Sequence, residues 1–320
     1  MNRFKNILVV VGRYDSERVV RRAMDLAVRN RAKVTLISPL GKLDLFVEAL
    51  AEFPGTQNLL GAVREKRESQ LQEICDQWSA RGIEMHACVP AAGTPFVEVI
   101  RQVIREKHDV VFVAASDKPD AQRGTFSSLA LHLIRKCPCP VWVVSDKSTG
   151  KAERILAAVD PQSTNNEADS LSVMILELAT SLSRIEESEL NVAHIYNNLI
   201  LEGYEEIRLN YAAEEQESVI EDCIERAKQK REKEFQAMLE PFKLGEIQHE
   251  VHFFSGWPDV SIPSLAKKYD VDVLILGTIS KGAPQGHWIG STAESIVTNV
   301  GCSVIAVKPE GFVSPVRVND

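Results

Sequence analysis

The chain predicts an α/β protein made of two tandem open parallel five-stranded sheets with helices on both faces. Short apolar runs without polar alternation mark strands that are buried on both sides. Helical stretches separate these runs throughout the 320 residues, as a parallel sheet with crossover helices requires. The second half also repeats the first in one register. A shift of 163 carries Gly93-Thr94-Pro95 onto Gly256-Trp257-Pro258, Asp109 onto Asp272, Ala130 onto Ala293, Leu133 onto Ile296, Ile134 onto Val297 and Cys139 onto Cys302. The first strands match at a shift of 148, Ile7-Leu8 onto Ile155-Leu156. Duplication follows.

In order, the first half reads as a strand at Ile7–Val11 and a helix whose inner face is Val19, Ala23, Leu26 and Ala27. A strand at Lys33–Ser38, a polar helix from Val63 to Arg81 and a strand at Glu84–Val89 come next. Pro95–Glu106 is a helix with Val99, Ile100, Val103 and Ile104 inward, and Asp109–Ala114 a strand. A helix at Ser128–Lys136 leads to the last strand, Pro140–Val144. The second half gives strands at Arg154–Val159, Leu190–Tyr196, Gln248–Phe254, Val271–Leu276 and Ser303–Val307. Its helices are marked by Leu171, Ile175, Leu178 and Leu182, by the charged stretch Ser218–Leu239, by Asp259–Lys268, and by a start at Ser291-Thr292. Domains at 1–147 and 152–310 and a tail at 311–320 are the expected organisation.

Composition excludes several classes. With 44% hydrophobic and 26% charged residues the chain is globular, and a net charge of −8 argues against a nucleic-acid surface. The apolar run Ile7–Val11 is too short for a signal peptide or membrane span, so the expectation is a cytoplasmic protein with no membrane partner. The 6 cysteines show no zinc or disulfide spacing, and His249 and His252 fall on opposite faces of one strand. No Walker loop, GxGxxG after a first strand, nucleophile elbow or spaced metal set is present, and no general base can be assigned to hydrolysis.

The informative stretch is the glycine-containing loop Gly277–Gly290 between a strand and the helix opening at Ser291. Helix amino termini after such loops present unpaired N–H groups and a positive dipole end, which suit phosphate. Gly277, Ser280, Gly290 and Ser291 fit the pattern G-x2-G-x9-G-[ST], except that serine stands at the second position. With this motif at the end of a βαβαβαβαβ half, the chain resembles the universal stress protein domain. Two such halves, with Val307-Lys308-Pro309 and a short tail carrying Ser314-Pro315-Val316, resemble the tandem, E-type bacterial universal stress proteins.

That resemblance implies an adenine-nucleotide α-hydrolase-like fold, strand order 3-2-1-4-5, and ATP, assisted by Mg²⁺, at the carboxyl ends of strands 1 and 4. It implies Asp160 at the adenosine portion, Ile195 beside the adenine, and Gly277, Ser280, Gly290, Ser291 and Thr292 around the phosphates. ADP and AMP stay open as the preferred nucleotide. In the first half the motif positions hold Ala114, Asp117, Ser127 and Ser128, and Gly12 stands for the aspartate. A carboxylate beside polyphosphate is repulsive, so this copy is expected not to bind ATP. The family also implies that two domains pair through their last strands, and it leaves a homodimer open. The expected role is a stress-response sensor or regulator with at most slow ATP hydrolysis. The alternative is a nucleotide-free scaffold, or a binder of an apolar ligand, built from two degenerate domains. Trp257 and Trp288 read as packing or interface residues, and Lys281 and His287 as solvated loop side chains.

Overall fold

A computed structural model describes residues 4–12, 16–41, 59–90, 93–116, 126–148, 150–161, 166–196, 214–278 and 289–318. The strands are β1 (Asn6–Val10), β2 (Lys33–Ile37), β3 (Met85–Cys88), β4 (Val110–Ala114), β5 (Val141–Val144), β6 (Arg154–Ala158), β7 (Glu189–Tyr196), β8 (His249–Ser255), β9 (Val273–Gly277) and β10 (Ser303–Val307). The helices are α1 (Ser16–Asn30), α2 (Leu59–Ser79), α3 (Pro95–Glu106), α4 (Ser128–Lys136), α5 (Asn166–Glu186), α6 (Glu214–Leu239), α7 (Pro258–Lys268) and α8 (Ser291–Asn299). Each half has the order 3-2-1-4-5 and the last strands pair as expected, so that the two expected five-stranded sheets are corrected to one. There is one ten-stranded sheet, β3-β2-β1-β4-β5-β10-β9-β6-β7-β8. The reason is that β5 and β10 pair antiparallel, Val143 opposite Val304 and Trp142 opposite Ile305, while all other pairs are parallel. Each would otherwise be an edge with unpaired backbone groups.

Because both faces of the sheet are covered, the strands are apolar at consecutive positions rather than alternately. Ile7, Val9, Ile155, Ile275 and Ile305 pack under α1, α2, α5 and α6. Leu8, Val10, Leu156, Leu274 and Val304 pack under α3, α4, α7 and α8. Both cores run through the junction between the halves. There Trp142 is fully buried, stacked on Phe112 at 4.9 Å, with the Arg22 guanidinium 4.5 Å over its ring.

That guanidinium also crosses the junction. Arg22 on α1 forms a two-point pair with Glu186 on α5, Nη1–Oε1 2.7 Å and Nη2–Oε2 2.9 Å, both side chains buried. The Ala152 N–H donates to the same carboxylate at 2.7 Å. Desolvated charges need a countercharge, and here it comes from the other half.

The duplicated residues prove to be mostly architectural. Asp109 accepts N–H bonds from Lys5 and Asn6, and Asp272 accepts them from Glu153 and Arg154, so each aspartate clamps the entry to its half's first strand. Gly93 (φ 142°) and Gly256 precede the proline-started helices α3 and α7. A Cβ at either would lie 2.9 Å from a side-chain oxygen of the following helix turn, Glu98 Oε1 or Ser261 Oγ. The charged helix α6 keeps Phe235 and Leu239 buried, and Lys230–Glu234 and Arg226–Asp222 pair along its outer side.

Candidate functional site

The carboxyl ends of β6 and β9 are adjacent, with Ala158 opposite Leu276. The chain leaves β6 toward β7 on one side and arrives at β9 on the other, which is the switch point where open α/β sheets form crevices. Asp160 stands just beyond β6, and its carboxylate is 63% exposed. Its backbone is bracketed by one side chain on α5: the Asp160 N–H donates to Ser172 Oγ and the Ser172 hydroxyl donates to the Asp160 carbonyl, each at 3.2 Å. His194 Nδ1 lies 3.8 Å from Asp160 Oδ1 and 3.2 Å from the Val159 carbonyl. Burial lowers the affinity of this imidazole for a proton, opposed by the Asp160 charge and the Val159 bond. The ring lies among Tyr196, Phe235 and Phe253, with centroids 6.1, 5.5 and 5.8 Å away. Ile195 is buried on the opposite face of β7, next to Gly256.

At β9 the structure assigns different work to the two glycines. A Cβ on Gly277 would meet Leu171 Cδ2 at 2.6 Å, so this glycine lets α5 close onto the sheet. Gly290 is the N-cap of α8; its N–H donates 2.8 Å to the Thr278 carbonyl and it supplies no side-chain cap. Ser291 and Thr292 form the exposed first turn. Ser280, Lys281, His287 and Trp288 lie outside the described residues.

The first half shows the same turn with one change. Ser127 N–H donates 2.5 Å to the Ala115 carbonyl, the bond that Gly290 and Thr278 make in the second half. Ser127 Oγ then accepts the Ala130 N–H at 3.1 Å, so α4 caps itself. Gly12, in the place of the aspartate, is exposed, and Asp117 lies outside the described residues. Self-capping consumes an orphan N–H for which α8 has no side-chain partner among the described residues.

The sequence reading missed Ser172, His194, Thr278 and Lys308. Ser172 and His194 carry no motif, and their signal is only that a polar residue falls on an otherwise apolar inner face. Among the described residues no three histidine, cysteine or acidic side chains could hold a metal, and no helix is long and apolar enough to cross a membrane. His252 is held by Asn191 at 2.8 Å. Cys137 and Cys139 lie buried with sulfurs 3.6 Å apart, and that contact and burial push the Cys139 thiol well up.

The model of the family described as Universal stress protein family matches residues 3–145 and again 151–308. The chain belongs to that family. Its two matches make it a tandem member. Curated relatives agree over full length: Universal stress protein E of Salmonella typhi is 24% identical, covering 100% of this chain and 99% of that one. A Universal stress protein E homolog of Haemophilus influenzae is 23% identical over 96% and 98%. A solved putative universal stress protein from Pseudomonas aeruginosa superposes with TM-score 0.73 at 18% identity, covering 97% of this chain and 95% of that one. A universal stress protein from Archaeoglobus fulgidus gives 0.64 at 18% identity, with 95% and 98% covered. These likenesses carry the fold, and membership supports a stress-response role.

Proposed function

We propose that the carboxy-terminal half binds an adenine nucleotide, ATP with Mg²⁺ or its ADP and AMP products, and that the protein senses or regulates rather than turns the nucleotide over. The observation that carries this reading is the unequal capping of two equivalent helices. Among the described residues the first turn of α8 has no side-chain cap, and its Ser291 and Thr292 are exposed at the same end of the sheet as Asp160, whereas α4 satisfies itself through Ser127. Asp160 would accept from the ribose, Ile195 would wall the base, and the amides of Ser291 and Thr292, with the Ser280 hydroxyl, would receive phosphate at the turn that Gly290 begins. Gly277 contributes indirectly, by admitting Leu171. The halves at 1–147 and 152–310 act as a degenerate partner and a binding domain, in a cytoplasmic protein that stands alone or as a homodimer.

Calorimetry with ATP, ADP and AMP tests the reading. Submillimolar binding that Asp160→Ala weakens at least tenfold is expected, and no binding of any of the three up to millimolar concentration overturns it. One observation favours the nucleotide-free scaffold: Phe254, Trp257 and Val260, at the carboxyl end of β8 and the start of α7, are 38%, 55% and 63% exposed. Such a cluster suits a protein partner.

A further inference from the structure

Three positions distinguish the turn before α8 from its counterpart before α4, and they touch one another. A shift of 163 pairs Gly290 with Ser127, Thr278 with Ala115 and Lys308 with Ser145. In the second half Lys308 Nζ donates to Thr278 Oγ1 at 2.7 Å, with Lys308 4% and Thr278 0% exposed. The Thr278 hydroxyl lies 3.4 Å from the Val307 carbonyl and its N–H donates to that carbonyl at 3.1 Å, while its own carbonyl receives the Gly290 N–H. Phe312 of the tail covers the amine, 4.8 Å from ring centroid to Nζ. The first half keeps the backbone bonds, Ala115 N–H to the Val144 carbonyl and Ser127 N–H to the Ala115 carbonyl, but lacks the side-chain link: Ala115 has no hydroxyl, and the Ser145 hydroxyl is turned to the Gly301 carbonyl across the junction.

We propose that Lys308, acting through Thr278, is a positioning residue for the phosphate-facing turn at Gly290. It replaces the self-cap that the first half obtains from Ser127. A capping side chain would fix the helix start but occupy the amides a ligand needs. A strut from below fixes the carbonyl to which the turn is tied without occupying those amides. Burying an amine is costly unless it is bonded, and burial pushes Lys308 down to about 7, so the group is readily held as a neutral or weakly charged donor. Nothing about a nucleotide is needed for the strut itself. Its consequence for binding rests on the function proposed above.

Amide hydrogen exchange on the full-length protein without nucleotide reads the strut directly. Lys308→Met and the near-isosteric Thr278→Val should each speed exchange of the Gly290 amide roughly tenfold, the loss of about one hydrogen bond to a charged or polar donor. Thr278→Ser, which keeps the hydroxyl, should restore slow exchange, and the double variant should be no faster than either single, because one interaction is removed only once. Exchange of the Leu274–Leu276 amides serves as the control for general loosening. Unchanged Gly290 exchange in Lys308→Met, or additive effects in the double variant, overturns the strut. ATP titration separates the two ideas. Wild-type protein that takes up no nucleotide overturns the nucleotide reading while the exchange result still decides the strut. Wild-type binding that Lys308→Met leaves within twofold overturns the positioning of the ligand by Lys308.

Discussion

The two helix starts, at Ser127 and at Gly290, occupy equivalent places in a duplicated fold and yet present opposite surfaces. Both turns are tied by an N–H to the carbonyl of the residue just after the preceding strand, Ala115 or Thr278. One then closes on itself through a serine hydroxyl, and the other stays open because glycine has nothing to close with. The sheet, the helix and its dipole are shared. Under the proposed function, the capacity to receive an anion turns on single side chains at the helix start and on the support beneath it.

The comparison stands only while the halves are locked together, and breaking that lock should have the largest effect. Arg22→Ala leaves Glu186 buried without its cation and should cost about 3–5 kcal/mol, read by thermal or urea unfolding. Joint replacement by Arg22→Met and Glu186→Leu should recover most of the loss.

A second difference between the halves is titratable. His108 is 4% exposed where the second half has Val271, and burial lowers it to about 4. Its folded pKa lies below the unfolded value, so the stability of the neutral form is complete above about 6.5 and falls as pH drops toward 4, by at most about 3 kcal/mol. His108→Val should flatten that part of the pH–stability curve.

Next in size is the close approach at Gly277, where the first half carries Ala114. Gly277→Ala should destabilise by roughly 1–3 kcal/mol through the clash with Leu171, and Leu171→Ala should suppress the clash at the cost of its own cavity. The companion Ala114→Gly should cost less, about 0.5–1 kcal/mol, since it removes only the one Cβ that Ala114 packs against the core. The smallest expected effect is the most direct for function. Gly290→Ser should stabilise by a few tenths of a kcal/mol through the new cap. It should weaken ATP binding, measured by calorimetry, by making the second half resemble the first.

Much of this fold was legible in the residues. The continuous apolar strands required a sheet covered on both sides, and the repeat of Gly93-Thr94-Pro95 as Gly256-Trp257-Pro258 announced two copies. The observed elements differ from the expected ones mainly at their ends: α2 starts at Leu59 rather than Val63, and α6 at Glu214 rather than Ser218. Of the candidate site, Gly290 and Ser291 were legible because they fit a spaced pattern, and Asp160 because the family resemblance implies it. Ser172 and His194 were not, since nothing near them in the chain says that they face Asp160. Gly277 was legible as a glycine but not in its reason, which is Leu171 more than a hundred residues earlier in the chain.

The residues alone determined the periodicities, the helix and strand boundaries to within a few positions, and the duplication, because each depends on neighbours a few residues apart. The pairing of the last strands was implied by the family resemblance, but only the tertiary structure decided its antiparallel register, that Arg22 and Glu186 are buried as a pair, and that Lys308 rests on Thr278. Those outcomes depend on which groups meet after the chain has folded back over distances of 30 to 164 residues, and on how much water is excluded when they do.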